Sequence, residues 1–352
     1  MTPSPEKSPG IPDLKDMQIE EIEDFISGLG KEKYRARQLM KWIYKAGAAD
    51  FSQMTDLSRD FRAELAGKAR IGTLHIEEVQ ASADGTRKVL FRLDDGLFIE
   101  SVIIPGKNDR TLCVSTQAGC RMKCSFCLTG KPKFRRNLLP AEIVGQITGA
   151  KFGVPEGKEV DNIVLMGMGE PLDNYDNVLK AIRIITSEYG LAISPRKITI
   201  STCGLPESII RLGLDVPVNL AISLNAPDDE IRSALMPVNR KHPIAELIRA
   251  CRDYSMPNRR RITFEYILIA GVNDSRACAE KLVRLLRGVR CKINLIAFNE
   301  YPGSQYKTPS AQAVEEFRAI LVKQGYTAIL RKSKGRDILA ACGQLSGTRT
   351  TR

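Results

Sequence analysis

Three cysteines in Gly119-Cys-Arg-Met-Lys-Cys-Ser-Phe-Cys127 have the spacing C-x3-C-x2-C, which puts Cys120, Cys124 and Cys127 on one loop. Three thiolates can hold three irons of a four-iron cube and leave the last iron open to a molecule that must be bound and reduced. Structural zinc is the rival chemistry. It closes its shell with four ligands, usually drawn from paired CxxC or Cys/His units, and the sequence has no second pair. Imidazole comes only from His75 and His242, which argues against His-rich zinc hydrolases and against Ser-His-Asp catalysis. A 4Fe-4S cluster on Cys120, Cys124 and Cys127 is the expected metal centre.

Other groups suited to binding lie where strands should end. In Met166-Gly-Met-Gly-Glu-Pro-Leu172, Gly167 and Gly169 let backbone carbonyls and the Glu170 carboxylate approach the ammonium of a bound amino acid moiety. Ser201, the run Ser223-Leu224-Asn225, and Asn299 offer hydroxyl, amide and backbone groups, although polar residues there are also common turn formers.

The elements that must carry these residues follow from periodicity. Beyond Thr111, strands are expected at Thr111–Thr116, Asn162–Met166, Lys197–Thr202, Val218–Leu224, Ile262–Ile269 and Lys292–Phe298. Helices are expected near 140–151, 175–189, 206–213, 243–255, 276–287 and 311–324. Six βα units make an α/β fold with a parallel sheet whose functional groups gather at the carboxyl ends of strands. Periodicity leaves open whether that sheet stays open or curls into a partial barrel. Upstream, residues 18–68 show helical spacing in Ile22, Phe25, Ile26 and Leu29, in Leu39, Trp42 and Ile43, and in Phe61 and Leu65. Between them and the βα series, Leu74–Val79, Lys88–Leu93 and Leu97–Ile104 read as a small sheet, with Asp94-Asp95-Gly96 as a hairpin turn.

With 352 residues and 43% hydrophobic content, the chain can fill a sizeable core. Lysine and arginine exceed aspartate and glutamate by 53 to 41, a net charge of +12 that favours a polyanionic partner such as nucleic acid. Nine cysteines without an export signal imply reduced thiols and a cytoplasmic setting. No apolar run approaches the roughly 20 residues that span a bilayer, so no membrane is expected.

Beyond the cysteine triplet, Thr111-Leu-Cys-Val-Ser-Thr-Gln117, Met166–Leu172, Ser201-Thr-Cys-Gly204, Ser223-Leu-Asn-Ala-Pro227, Leu235-Met-Pro-Val-Asn-Arg240 and Ala341-Cys-Gly-Gln-Leu345 recur in one known family. The chain resembles the RlmN/Cfr family of radical S-adenosylmethionine (SAM) methyltransferases over nearly its whole length. The resemblance implies a partial (βα)6 barrel like a TIM barrel, with a small N-terminal helical accessory domain and a β-hairpin extension. The implied boundaries are a disordered tail at 1–13, the accessory domain at 14–72, the strand extension at 73–108, the radical SAM core at 109–345 and a basic tail at 346–352. Asn225 departs from the family, which usually carries histidine at that place.

What the family implies for residues is specific. SAM is expected to contact Gly169, Glu170, Ser201, Ser223, Leu224, Asn225 and Asn299. Cys342 is the expected S-methylcysteine intermediate, Cys113 the resolving thiol that forms a transient disulfide with it, and Glu100 the proton acceptor. The implied substrates are 23S rRNA and tRNA, methylated at adenine carbon 2 with two SAM molecules used in turn, an electron donor such as flavodoxin or ferredoxin, and a monomeric enzyme. Cys203, Cys251, Cys278 and Cys291 are left to packing. Lys131, Lys133, Arg135, Arg136, Arg196, Lys197, Arg232, Arg240, Arg331, Lys332, Lys334 and Arg336 are basic groups expected near the mouth, where they could hold phosphates while a base swings out of its stack. A Cfr-type enzyme acting on carbon 8 is the nearest alternative, and Pro171 and Cys203 favour the RlmN side. A zinc-stabilised, non-catalytic RNA-binding protein and a radical SAM enzyme for protein or small molecules are the other readings.

Overall fold

The helical spacing near the N-terminus folds into α1 (Ile19–Gly28), α2 (Tyr34–Lys41) and α3 (Arg59–Lys68), with Ile22, Ile26, Leu39, Met40 and Leu65 fully enclosed. Ser58 starts α3 by accepting a hydrogen bond from the Phe61 amide. This computed structural model describes residues 10–257 and 260–347. The helical unit is not loosely attached. Lys15 Nζ donates to Thr148 Oγ1 on the first core helix at 3.2 Å, and the ring of Phe152 fills the space where a Cβ on Gly47 would fall. The expected disordered tail is corrected at its inner end: Asp13 is 2% exposed and accepts from the Gly72 amide, while Pro12 accepts from that of Arg70. Residues 1–9 of that tail, and 348–352 of the basic tail, lie outside the described residues.

The expected small sheet is part of a larger one. Strands β1 (His75–Ala81), β2 (Arg87–Arg92) and β3 (Phe98–Pro105) are antiparallel, and β3 continues the ladder onto β4 (Arg110–Cys113) with Val102 opposite Cys113. The turn between β2 and β3 forms as read, with Asp95 accepting from the Leu97 amide and Gly96 at φ 81°. Beyond β4, a short ribbon of β5 (Gln117–Ala118) and β6 (Arg136–Asn137) brackets the cysteine loop.

The parallel part then runs β7 (Asn162–Leu165), β8 (Ile198–Thr202), β9 (Asn219–Ser223), β10 (Ile262–Leu268), β11 (Cys291–Ala297) and β12 (Ala328–Leu330). Six of its intervening helices are α4 (Pro140–Gly153), α5 (Tyr175–Thr186), α6 (Pro206–Asp215), α8 (Ile244–Asp253), α9 (Arg276–Leu285) and α10 (Ala311–Lys323), all near their expected places; the seventh, α7 (Asp229–Leu235), was not foreseen. Strand order across the sheet is β4-β7-β8-β9-β10-β11-β12, strictly that of the chain. Every crossover therefore steps in the same direction, the helices share one face, and the sheet curls as a partial barrel instead of reversing as a doubly wound sheet does. Ser201 and Ser223 lie at the carboxyl ends of β8 and β9, and Glu170 and Asn299 lie just beyond those of β7 and β11.

Candidate active site

The cysteine loop leaves β4 through Val114–Thr116 and turns at Gly119, whose φ of 81° and 3.1 Å clearance to Lys133 and Phe134 require a residue without Cβ. Cys120, Cys124 and Cys127 are each half-buried. Burial pushes the Cys120 thiol up to about 12, and Cys124 rises well above the usual thiol range through burial and then through Cys127 and Cys120 beside it. All three belong to the one loop between β5 and β6. Three thiols drawn from one loop, as here, fit a cube that gives each thiolate its own iron and leaves the fourth iron open.

Packing sets the loop in place. The Ser125 amide donates to Leu235 O at 2.9 Å, Ser125 and Tyr306 hydroxyls meet at 2.8 Å, and Phe126 lies in an apolar patch with Cys203, Met236 and Phe298.

Two glycines in the second motif have a structural reason. A Cβ on Gly167 would sit 2.7 Å from Val114 O, and one on Gly169, at φ 102°, would sit 2.5 Å from Gln117 Cβ. They bring the end of β7 against the segment leading from β4 into the cysteine loop. Glu170, 4% exposed, accepts from the Leu172 amide at 3.0 Å and the Cys203 amide at 2.8 Å, bridging the ends of β7 and β8. Burial raises its pKa, and the Cys203 and Leu172 amides oppose that rise.

Ser201 and Ser223 meet across β8 and β9 with their hydroxyls 3.4 Å apart. Asn299, 4% exposed, has a buried Oδ1 with no hydrogen-bond partner. An orphaned buried acceptor is costly unless a ligand donor fills it, so Asn299 fits a cofactor contact. Leu224 and Asn225 differ. The Leu224 amide donates to Glu265 O and its carbonyl accepts from Arg232. Asn225 Oδ1 accepts from the Ile267 amide at 2.9 Å, and its φ of 57° is a left-handed conformation that asparagine tolerates well. Both residues spend these groups tying β9 to its surroundings.

On the arm, Glu100 is 1% exposed, with Lys88 Nζ 3.1 Å from Oε1, while Oε2 accepts from the amides of Ser346 at 2.7 Å and Gly347 at 2.9 Å. The segment 340–347 is therefore a strap and not a loose tail. It also receives the Leu128 amide at Gly343 O and the Thr129 hydroxyl at Leu345 O, both at 2.7 Å, which presses it onto the cysteine loop. Cys342 on this strap is exposed; desolvation by the protein around it, then Glu265, pushes the thiol up to about 11, while Arg331 opposes. Cys113, buried at the end of β4, is pushed well above the usual thiol range by burial and then by Cys342. Both are free thiols, so the expected Cys113–Cys342 disulfide is not formed here.

The basic groups separate. Lys131, Lys133, Arg135 and Arg240 are exposed, as are Arg331, Lys332 and Arg336, and Lys334 is half-buried. Arg232 is corrected: it is fully buried, donating to the carbonyls of Leu224 and Cys203 and to Asn239 Oδ1, and no phosphate can reach it. Arg136 is held by Glu142 and Asp95. Arg196 and Lys197 precede β8 and so lie at the amino end of the strands, opposite the proposed mouth. Lys88 and the Ser346-Gly347 amides are the site groups that sequence reasoning missed, whereas Arg232 was named there for the wrong role. Only Lys88 had a usable signal, because the hairpin turn fixes it on the same face as Glu100.

Comparison with known proteins gives the same picture. Residues 12–71 match the profile of the ribosomal RNA large subunit methyltransferase N-terminal domain, and 114–283 match the radical SAM superfamily. The dual-specificity RNA methyltransferase RlmN of Syntrophus aciditrophicus is 63% identical, covering 95% of this chain and 96% of that one. Its counterpart in Geobacter sulfurreducens is 52% identical over 95% and 92%. A crystal structure of a radical SAM methyltransferase from Sphaerobacter thermophilus superposes with a TM-score of 0.91 at 44% identity, covering 96% of this chain and all of that one. The chain therefore belongs to the RlmN family of radical SAM dual-specificity RNA methyltransferases, enzymes that use a 4Fe-4S cluster and S-adenosylmethionine.

Proposed function

We propose that this enzyme methylates carbon 2 of an adenine in 23S rRNA at the peptidyl transferase centre, and of the adenine next to the anticodon in tRNA, by way of a methylated Cys342. The observation that carries the reading is the strap: it bears Cys342, rests on the cysteine loop, and ends on the Glu100 carboxylate. Cys120, Cys124 and Cys127 hold the cluster, and Gly169, Glu170, Ser201, Ser223 and Asn299 contact SAM, with Leu224 and Asn225 shaping that wall. When bound, these cofactors supply a methyl group to a thiolate and, separately, a radical able to take a hydrogen atom from a methyl group.

The protein's own groups do the rest. Adenine carbon 2 is electrophilic, so a direct transfer of an electrophilic methyl group to it is unfavourable; carrying the carbon on the Cys342 sulfur removes that obstacle. Glu100 accepts the proton lost from the ring carbon. The Cys113 thiolate then attacks the Cys342 sulfur; the sulfur–carbon bond breaks, its electron pair leaves with the methylene carbon, which takes up a proton to become the methyl group, and the disulfide so formed is reopened by a later two-electron reduction. Lys131, Lys133, Arg135 and Arg240 hold RNA phosphates at the mouth. A flavodoxin or ferredoxin supplies electrons, and the enzyme acts as a cytoplasmic monomer; no described helix is long and apolar enough to cross a membrane.

Mass mapping of RNA from cells expressing this chain tests the reading. The expected product is 2-methyladenine in both RNAs. Finding 8-methyladenine would transfer the chain to the Cfr-type reaction, and anaerobically purified protein with zinc but no iron or sulfide would remove the mechanism.

A further inference from the structure

Glu100 is held from two directions. Lys88 pairs with Val102 and Leu90 with Glu100, so the Lys88 and Glu100 side chains share a face of the sheet one diagonal step apart. Their charged ends meet at 3.1 Å with side-chain exposures of only 9% and 2%. The second carboxylate oxygen accepts both the Ser346 and Gly347 amides, at the end of the strap that carries Cys342. A buried ammonium or carboxylate without a partner would be strongly unfavourable, so each makes the other's burial tolerable. With two amides on Oε2 and the ammonium on Oε1, the carboxylate plane is fixed, and the free lone pair of Oε1 is the one left for a substrate proton.

We propose that Lys88 is a positioning residue for the proton transfer: it orients Glu100 towards the adenine, and through Glu100 it links that transfer to the hold on the strap bearing Cys342. The proposal rests on Glu100 being the proton acceptor. In the step, the ring C–H bond breaks, its electron pair stays with the ring, and the proton goes to Oε1, while Lys88 keeps its charge. Glu100 is then a neutral carboxyl. Charge-assisted hydrogen bonds are roughly twice as strong as neutral ones, so its grip on the Ser346 and Gly347 amides weakens when the proton arrives. The strap is freed when Cys342 must turn from the base to Cys113. Loss of the proton to water restores the carboxylate and the clasp.

The test uses cluster-loaded enzyme with SAM, reductant and a tRNA substrate, and reads three quantities: methyl on Cys342 by mass spectrometry, RNA–protein adduct on denaturing gels, and the pH dependence of adduct resolution. Lys88→Met is expected to keep methyl on Cys342, to slow adduct resolution at least tenfold, and to change its pH profile; Lys88→Arg is expected to resolve within about threefold of wild type. Wild-type resolution with an unchanged pH profile in Lys88→Met overturns the proposal. If Lys88→Met fails to fold or to load methyl, Lys88→Arg decides, and a tenfold slower resolution with a wild-type profile overturns it. Glu100→Gln separates the two ideas. Should it resolve the adduct normally, the proton-acceptor reading itself is wrong; if it traps adduct while Lys88→Met does not, only the role of Lys88 fails.

Discussion

Two sets of cysteines in this enzyme are assembled in opposite ways. Cys120, Cys124 and Cys127 belong to one loop that closes on itself, with the Cys127 amide donating to Cys124 O at 3.1 Å. Cys113 and Cys342 come from the first parallel strand and from the last described segment, each placed by a different support, the sheet for one and the strap for the other. The chemistry explains the contrast. Ligands of a cluster must keep one fixed arrangement, which a short loop does well. In the proposed reaction Cys113 and Cys342 react with each other and then part, which separate supports allow by letting one move against the other.

The comparison breaks most sharply on single cysteines. Cys124→Ala and Cys342→Ala should both abolish RNA methylation, but for reasons that iron analysis separates: the first should lose the cluster absorbance and most of its iron and sulfide, while the second should keep both. Equal iron in the two proteins would mean that Cys124 is not a ligand. Cys113→Ala should form the RNA adduct and fail to release it, seen as a band that survives denaturation. Full turnover in that variant would leave Cys113 without a role.

Arg232 offers the next largest effect, and it concerns the support of the site. Its guanidinium, 0% exposed, gathers the carbonyls at the ends of β8 and β9 and the side chain of Asn239, and its helix supplies Leu235 O to the cysteine loop. Removing it leaves buried acceptors without donors. Arg232→Met is expected to cost about 3 kcal/mol of stability, visible in a urea titration, together with reduced cluster retention. A loss under about 1 kcal/mol would show that the acceptors find other partners.

These cases also mark what the sequence could reveal. The triplet was legible because ligand spacing on one loop is a local property, and the parallel strands were legible because apolar runs alternate with amphipathic helices. Arg232 was misread as a phosphate contact because composition places a charge without saying which way it faces. The last two residues of the strap were assigned to a tail for a related reason: Ser346 and Gly347 act through backbone amides, and their side chains carry no sign of the Glu100 carboxylate they hold. Glu100 itself stood out only by resemblance, since a glutamate on a hairpin is ordinarily solvated. The merging of the hairpin into the main sheet depends on β3 meeting β4, a pairing that neither strand's own pattern specifies.

A smaller effect is expected at Asn299. Filling its orphaned Oδ1 is worth one hydrogen bond, so Asn299→Ala should weaken SAM binding to the cluster-loaded enzyme about tenfold, roughly 1.4 kcal/mol, in equilibrium dialysis. Unchanged affinity would remove Asn299 from the cofactor site.

The smallest effect tests whether a local motif matters by being local. On α10, Glu315 and Arg318 form an i,i+3 pair at 2.6 Å that any reading of helical charge spacing would find as readily as the cysteine triplet. Both side chains are open to solvent, so water and salt compete for each charge, and holding two long side chains in one geometry offsets the attraction. Arg318→Ala should therefore leave both the urea midpoint and RNA methylation unchanged. A clear drop in the midpoint would mean that α10 depends on this pair, and that solvation does not separate the local motifs that matter from those that do not. If the midpoint holds, the triplet's weight comes from what it grips inside the barrel mouth, not from the ease with which its spacing is read.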